Sequence, residues 1–211
     1  MLYNWQQSDW PRFRYELAEV EADLLVLADR AGQISGAMKG LPEDAQTESL
    51  LNIMVAEAIK TSEIEGEYVS RPDVVSSIRN QLGLNVDAER IKDRAAGGVA
   101  ELMVDVRRSW ADPLNEEQLY AWHRMLMQGT RPLAVGGWHT HMEPMQVVSG
   151  PVGRLKIHFE APPSARVPEE MAAFLGWFNA TRQTIRQGPV RSAVAHLYFE
   201  SIHPFEDGNG R

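Results

Sequence analysis

The chain has 211 residues, 44% of them apolar, a net charge of −8 and no cysteine. That is enough for a hydrophobic core in one or two domains, and it excludes a disordered chain, a disulfide scaffold and a thiolate metal site. The acidic balance argues against a chain-wide nucleic-acid surface, and the longest apolar run, Leu24 to Ala28, is far too short to span a membrane. No secretory signal marks the N-terminus, and the lack of cysteine fits a reducing cytoplasm.

In chain order, Ser8 or Asp9 reads as a helix N-cap and Pro11 as an early helical position. Trp5 and Trp10 read as packing anchors. Phe13, Leu17, Val20, Leu24 and Leu27 then recur at steps of four and three, one apolar stripe on a helix expected to end near Gly32. Gly36 to Asp44 reads as a turn-rich link. A second helix carries Leu51, Met54, Val55, Ala58 and Ile59 and runs into Thr61-Ser62-Glu63-Ile64-Glu65-Gly66-Glu67. Gly66 stops it. Its three terminal acids stand where the helix dipole disfavours them, so a positive partner is expected nearby.

A short helix follows over Ser70 to Leu82, a loop over Gly83 to Asp87, and a longer helix marked by Ile91, Ala95, Val99, Leu102, Met103 and Val106. Leu119, Trp122, Met125 and Leu126 mark the next, with His123 beside the stripe in a structural role. Between Gly129 and Pro163 the pattern changes. Gln146 to Ser149 and Leu155 to Phe159 are β-prone runs around Gly150-Pro151-Val152-Gly153, a β-hairpin. His139 and His141 lack a third ligand and read as a polar loop rather than a metal site. Pro168 opens a helix with Met171, Phe174, Leu175 and Phe178. Gly188-Pro189 opens another with Val190, Ala193, Val194, Leu197, Tyr198 and Ile202. About eight helices and one hairpin are expected, a predominantly all-α fold.

That last helix delivers His203-Pro204-Phe205-Glu206-Asp207-Gly208-Asn209-Gly210-Arg211. Pro204 cannot continue it. His203 has the pKa range of a general base. Gly208 and Gly210 permit φ > 0, which turns successive N–H groups into an anion nest, with Arg211 as a forked phosphate donor. Asp207 is placed to hold Mg²⁺, which binds through one or two carboxylates plus substrate phosphates. Phe205 reads as a core anchor. The inventory favours transfer chemistry on a nucleotide, achieved by positioning and charge stabilisation. No Walker lysine loop and no kinase catalytic loop is present. An ordinary polar turn would also use His-Pro, Asp-Gly and Asn-Gly.

The nine residues resemble the signature of the Fic family, His-x-Phe-x-(Asp/Glu)-Gly-Asn-Gly-Arg, at all seven defined positions. The resemblance implies a Fic-type helical bundle with a small β-hairpin flap and an N-terminal helical extension. It divides the chain into an extension over 1–40, an inhibitory and a linking helix over 41–88, and a Fic core over 89–211. The implied activity is protein adenylyltransferase: AMP passes from ATP, with Mg²⁺, to a Ser, Thr or Tyr hydroxyl of a target protein. By resemblance His203 is the base and Asp207 the metal ligand. Gly208, Asn209 and Gly210 line the phosphate hole, and Arg211 contacts the phosphates. Thr61, Glu65 and Gly66 resemble the inhibitory (Ser/Thr)-x-x-x-Glu-(Gly/Asn) motif, with Glu65 as the inhibitory acid. The hairpin resembles the flap, so Val147, Val148, Ser149, Lys156, Ile157 and His158 would hold a target segment by strand addition. Trp5-x-x-Ser8-x-Trp10-Pro11 resembles the extension of one Fic subgroup. Gly137-Trp138-His139 stands where the family has Gly-x-x-Arg, without the arginine.

Expected partners are therefore a hydroxyl-bearing protein and ATP, with no membrane and no indicated nucleic acid; a homodimer is compatible. A second family arginine and the helix carrying it would follow Arg211, so the sequence reads as a fragment whose own activity is open. Two alternatives stand beside AMP transfer. One is removal of AMP or transfer of another phosphate-linked group by the same site. The other is a non-enzymatic helical interaction module.

Overall fold

The computed structural model describes residues 2–130, 134–151 and 154–211. Among them are seven α-helices and one two-stranded sheet. They are α1 (Glu21–Lys39), α2 (Glu43–Ile64), α3 (Arg71–Gln81), α4 (Arg94–Ser109), α5 (Glu116–Leu126), β1 (Gln146–Ser149), β2 (Lys156–Glu160), α6 (Val167–Ala180) and α7 (Gly188–Ile202). The fold is predominantly helical with a small hairpin. The expected hairpin turn at Val152-Gly153 lies outside the described residues. No described helix is long and apolar enough to cross a membrane.

The chain divides into two compact units. One comprises Met1–Glu16, Pro113–Tyr120 and Pro132–Gly210; the other comprises Leu17–Asp112, Ala121–Arg131 and Arg211. In the second, α2, α3 and α4 share a core of Leu51, Met54, Val55, Val74, Ile78 and Val104 with small alanines between them. Asp93 caps α4, accepting from Ala95 N at 3.0 Å and Ala96 N at 3.2 Å, and its other oxygen accepts from Ser70 N at 2.8 Å. Asp73 in turn accepts from Asp93 N at 2.8 Å, so the caps of α3 and α4 lock each other. Gly98 is needed where α4 meets α5: a Cβ there would lie 2.0 Å from the Met125 carbonyl oxygen. His123 is 3% exposed, as its structural reading expects.

In the first unit, α6 and α7 pack around the fully buried Tyr198. Its ring is surrounded by Trp10 at 5.1 Å, Phe13 and Phe174 at 5.3 Å and Trp177 at 5.8 Å, mostly edge to face. Burial, with the Glu170 charge added, pushes the Tyr198 phenol up to about 12.

Two sequence expectations are corrected here. No helix starts near Pro11; residues 8–11 form a turn and α1 begins at Glu21. Tertiary contacts take the place of helix: Trp10 Nε1 donates to Glu170 Oε2 at 2.8 Å, and Trp5 Nε1 donates to the Glu160 carbonyl at 2.7 Å. The arm is thus pinned by its aromatic residues. The helix also runs past Gly32 and Gly36 to Lys39, and the stripe is not a core face. No α1 residue is buried, and Leu25, Val26, Leu27 and Ile34 are all more than half exposed. Lesser adjustments concern α7, where Leu197 and Ala193 are exposed and the buried residues are Ala195, Tyr198, Ser201 and Ile202.

Candidate active site

Helix α7 ends on His203, the residue expected from the sequence to act as a base. His203 is the C-cap, with φ 52° and ψ 59°, the left-handed region, and its N–H donates to the Phe199 carbonyl at 2.9 Å. Among the described residues no other non-glycine has positive φ. Nδ1 is buried, 3.7 Å from Glu200 Oε2. Burial lowers the imidazole pKa, and the Glu200 carbonyl and the Asp207 charge oppose that only in part. The ring is therefore neutral at neutral pH, with a lone pair to offer. With Glu200 on the Nδ1 side, a proton on Nδ1 would leave the lone pair on Nε2.

The loop after His203 is braced by one side chain. Asn209, 8% exposed, accepts from Phe205 N at 2.8 Å and donates to the Phe205 carbonyl at 2.9 Å. Phe205 is buried, packing on Trp138 at 5.0 Å and on Phe199 at 6.1 Å. Gly208 has φ 78°, while Gly210 does not use the positive region that the sequence offered it. Asp207 is exposed, and its Oδ1 accepts from Gly208 N at 2.7 Å.

His139 corrects the polar-loop reading. It is 1% exposed, its backbone N–H donates to the Pro204 carbonyl at 2.9 Å, and neither ring nitrogen has a hydrogen-bond partner among the described residues. Its ring stacks on His141 at 4.5 Å. Burial, then His141 and His203, lower its pKa against the Glu206 charge. Trp138 and His139 thus support the loop from behind. Nothing in their spacing announced this, since the family arginine expected there is missing.

The hairpin pairs Gln146 with Glu160, Val147 with Phe159, Val148 with Ile157 and Ser149 with Lys156. The register slips between Val147 and Val148, leaving His158 as the bulged residue. Its Nε2 meets Ser149 Oγ at 2.6 Å. Of the flap residues read from sequence, Val147 faces His203 across a cleft of about 290 Å³. Val148, Ser149, Lys156, Ile157 and His158 are exposed and do not line it. Phe159, Glu200, Tyr3 and Asn4 line it and were not singled out by the sequence. Glu200 had one available signal, its i−3 spacing from His203.

In the other unit, α2 ends as expected at Gly66, φ 77°. Two of its three acids have positive partners: Arg211 meets Glu67 at 2.7 Å and Lys60 meets Glu63 at 2.6 Å. Glu65 is exposed; its backbone N–H donates to the Glu63 carbonyl, and no side-chain hydrogen bond or ion pair holds it among the described residues. Thr61, Glu67 and Arg211 share a pocket of about 330 Å³ whose walls are otherwise mainly apolar, including Val99, Leu102 and Met103.

No cluster of three or more metal-ligating side chains occurs among the described residues. A Mg²⁺ site does not need one, since Mg²⁺ commonly binds through one or two carboxylates with substrate phosphates and water completing its shell.

Residues 113–211 match the model of the Fic/DOC family, and residues 3–84 match a domain of unknown function (DUF4172). A Fic family protein from Desulfovibrio desulfuricans G20 is similar in structure, with TM-score 0.59, 26% identity, and coverage of 95% of this chain and 56% of its own. A Fic domain containing signaling protein from Bacteroides thetaiotaomicron VPI-5482 shares the fold, with TM-score 0.58 and 16% identity over 83% of this chain and 64% of its own. The chain therefore spans under two thirds of the length of either. No curated protein matches it. Over residues 113–211 the chain is similar to the Fic/DOC family.

Proposed function

We propose that the protein transfers AMP from ATP to a hydroxyl group of a target protein. The observation that carries the reading is His203: a neutral, half-buried imidazole fixed at the left-handed end of α7, just before the loop that carries Asp207 and Gly208. Neutrality is what a general base needs, and fixed orientation is what makes it efficient. Nε2 takes the proton of the acceptor hydroxyl, and the proton on Nδ1 faces Glu200, which favours the imidazolium that forms. The acceptor oxygen bonds to the α-phosphorus, and the bond from that phosphorus to pyrophosphate breaks.

Gly208 and its neighbours offer backbone N–H groups to phosphate, and Arg211 offers its guanidinium. Asn209 acts through Phe205 by holding the loop's shape. Asp207 would hold Mg²⁺, which supplies charge neutralisation on the phosphates when bound. The hairpin would align the target segment by strand addition.

Regulation by Glu65 belongs to the same reading. A carboxylate brought to a phosphate-binding arginine would use its donors and repel incoming phosphate. Glu65→Gly in the full-length protein is expected to raise transfer. Unchanged self-modification in a folded, ATP-binding variant would remove Glu65 from that role.

The decisive experiment is transfer of label from α-labelled ATP with Mg²⁺ by the full-length protein, with mass spectrometry of the product. A mass gain of one AMP on a protein hydroxyl is expected. No covalent label on the protein itself or on added proteins, with ATP bound, would overturn the reading.

A further inference from the structure

The cleft beside His203 is lined by two kinds of residue. Tyr3, Val147, Phe159 and Leu197 supply carbon, and Asn4, Glu200, Ser201 and His203 supply polar atoms. Much of the polar set is already committed. Asn4 Nδ2 donates to Ser201 Oγ, Asn4 Oδ1 accepts from Trp5 N at 2.9 Å, and Ser201 Oγ donates to the Leu197 carbonyl at 2.6 Å. These bonds fix the N-terminal arm as a wall of the cleft. Tyr3 meets Phe159 edge to face at 5.2 Å, so two rings flank the same opening.

Size narrows what fits. A volume of about 290 Å³ corresponds to roughly ten waters at about 30 Å³ each. A seryl side chain brings two heavy atoms and a threonyl three, which would leave most of the apolar lining wet. A tyrosyl side chain brings eight, seven of them carbon, with one hydroxyl at the far end. Its ring adds edge-to-face contact with aromatic neighbours. The phenol also gives up its proton more readily than an aliphatic alcohol, its pKa being about 10.

We propose that the acceptor is the phenolic hydroxyl of a protein tyrosine, and that Tyr3 and Phe159 are specificity-determining residues that hold its ring. This rests on the AMP-transfer reading. The phenol oxygen bonds to the α-phosphorus, pyrophosphate leaves, and the phenolic proton passes to His203.

The test uses the full-length protein, labelled ATP with Mg²⁺, and three peptides differing only in a central Tyr, Thr or Ser. The tyrosine peptide is expected to show at least about tenfold higher kcat/KM. Tyr3→Ala should lower that value roughly five- to tenfold, mainly through KM, and shrink the preference, while Tyr3→Phe should retain both. Should the protein label only itself, a modified tyrosine supports the assignment and a modified serine or threonine overturns it. Equal use of the three peptides, or a preference untouched by Tyr3→Ala, overturns it too and leaves the transferase reading standing. Absence of label on every peptide and on the protein itself overturns the transferase reading, and this assignment with it.

Discussion

Helices α2 and α7 both end in the left-handed region, and they get there by different means. At α2 the residue is Gly66, φ 77°, and the end is complete: Glu67 N donates to the Ser62 carbonyl at 2.8 Å and Gly66 N to the Glu63 carbonyl at 3.0 Å. At α7 the residue is His203, and the next residue, Pro204, has no N–H to give the second bond. The chain then closes on itself through Asn209 instead. A left-handed non-glycine costs about 1–2 kcal/mol. Glycine at 203 would avoid that cost and lose the imidazole. One end is built for stability; the other holds an imidazole in a conformation that stability alone would not select.

The sharpest way to separate the two ends is chemical. His203→Ala should cut AMP transfer by about 10²–10⁴ and spare most ATP binding, whereas Gly66→Ala should leave the chemical step untouched. Transfer assays beside ATP titrations check both. Undiminished turnover in His203→Ala would take His203 out of the mechanism.

Next in size is the brace. Asn209→Ala removes both hydrogen bonds that this side chain makes to the backbone of the buried Phe205. Each such bond is worth about 0.5–1.5 kcal/mol net, so a loss of roughly 1–3 kcal/mol in denaturant unfolding is expected. Asn209→Asp keeps the acceptor for Phe205 N and should lose less. Equal stability of Asn209→Ala and the parent would show that the loop does not depend on this side chain.

Much of the fold was legible because its signals are local. The stripe of Leu51, Met54, Val55 and Ala58, the stop at Gly66 and the β-prone runs of the hairpin all fix short-range structure. The first helix was misread because Phe13 fits a helical stripe equally well, while its partner, Tyr198, lies more than 150 residues away in sequence. The motif from His203 to Arg211 was visible as a contiguous run. Its supports were not: His139 reaches it through a backbone bond to Pro204, and Tyr3 and Asn4 reach the cleft from the other end of the chain. No periodicity records such contacts.

A backbone comparison is smaller again. Nothing lies within 4 Å of a Cβ built on Gly66, so Gly66→Ala costs only the strain of its φ, about 1 kcal/mol. His203→Gly should do the opposite at α7, making the protein more stable than His203→Ala by a similar amount. Denaturant midpoints of the three variants check this. Identical stability of His203→Gly and His203→Ala would mean that the left-handed end of α7 carries no strain.

The smallest effect is a pH dependence confined to the His203 end. His139 and His203 both have pKa values lowered in the folded protein, chiefly by burial. Their unfolded values lie near 6.5. A group depressed on folding contributes stability that is present above its unfolded pKa. That stability is lost as pH falls from there toward the folded value, because the unfolded chain binds the proton first. The groups facing His139 are His141 and His203, which oppose its protonation, and Glu206, which favours it. His203 faces Glu200 and Asp207, which favour its protonation without overcoming burial. Stability should therefore be flat above neutrality and fall below about pH 6.5, by no more than about 1.4 kcal/mol per pH unit for each histidine. His139→Phe removes one of the two and should shallow the slope. Its effect on His203 has the same sign, since a ring that cannot become charged no longer opposes protonation of its neighbour. Denaturant unfolding between pH 5.5 and 7.5, for parent and variant, measures the difference. A parent whose stability is constant across that range would show that neither ring is held neutral by its burial.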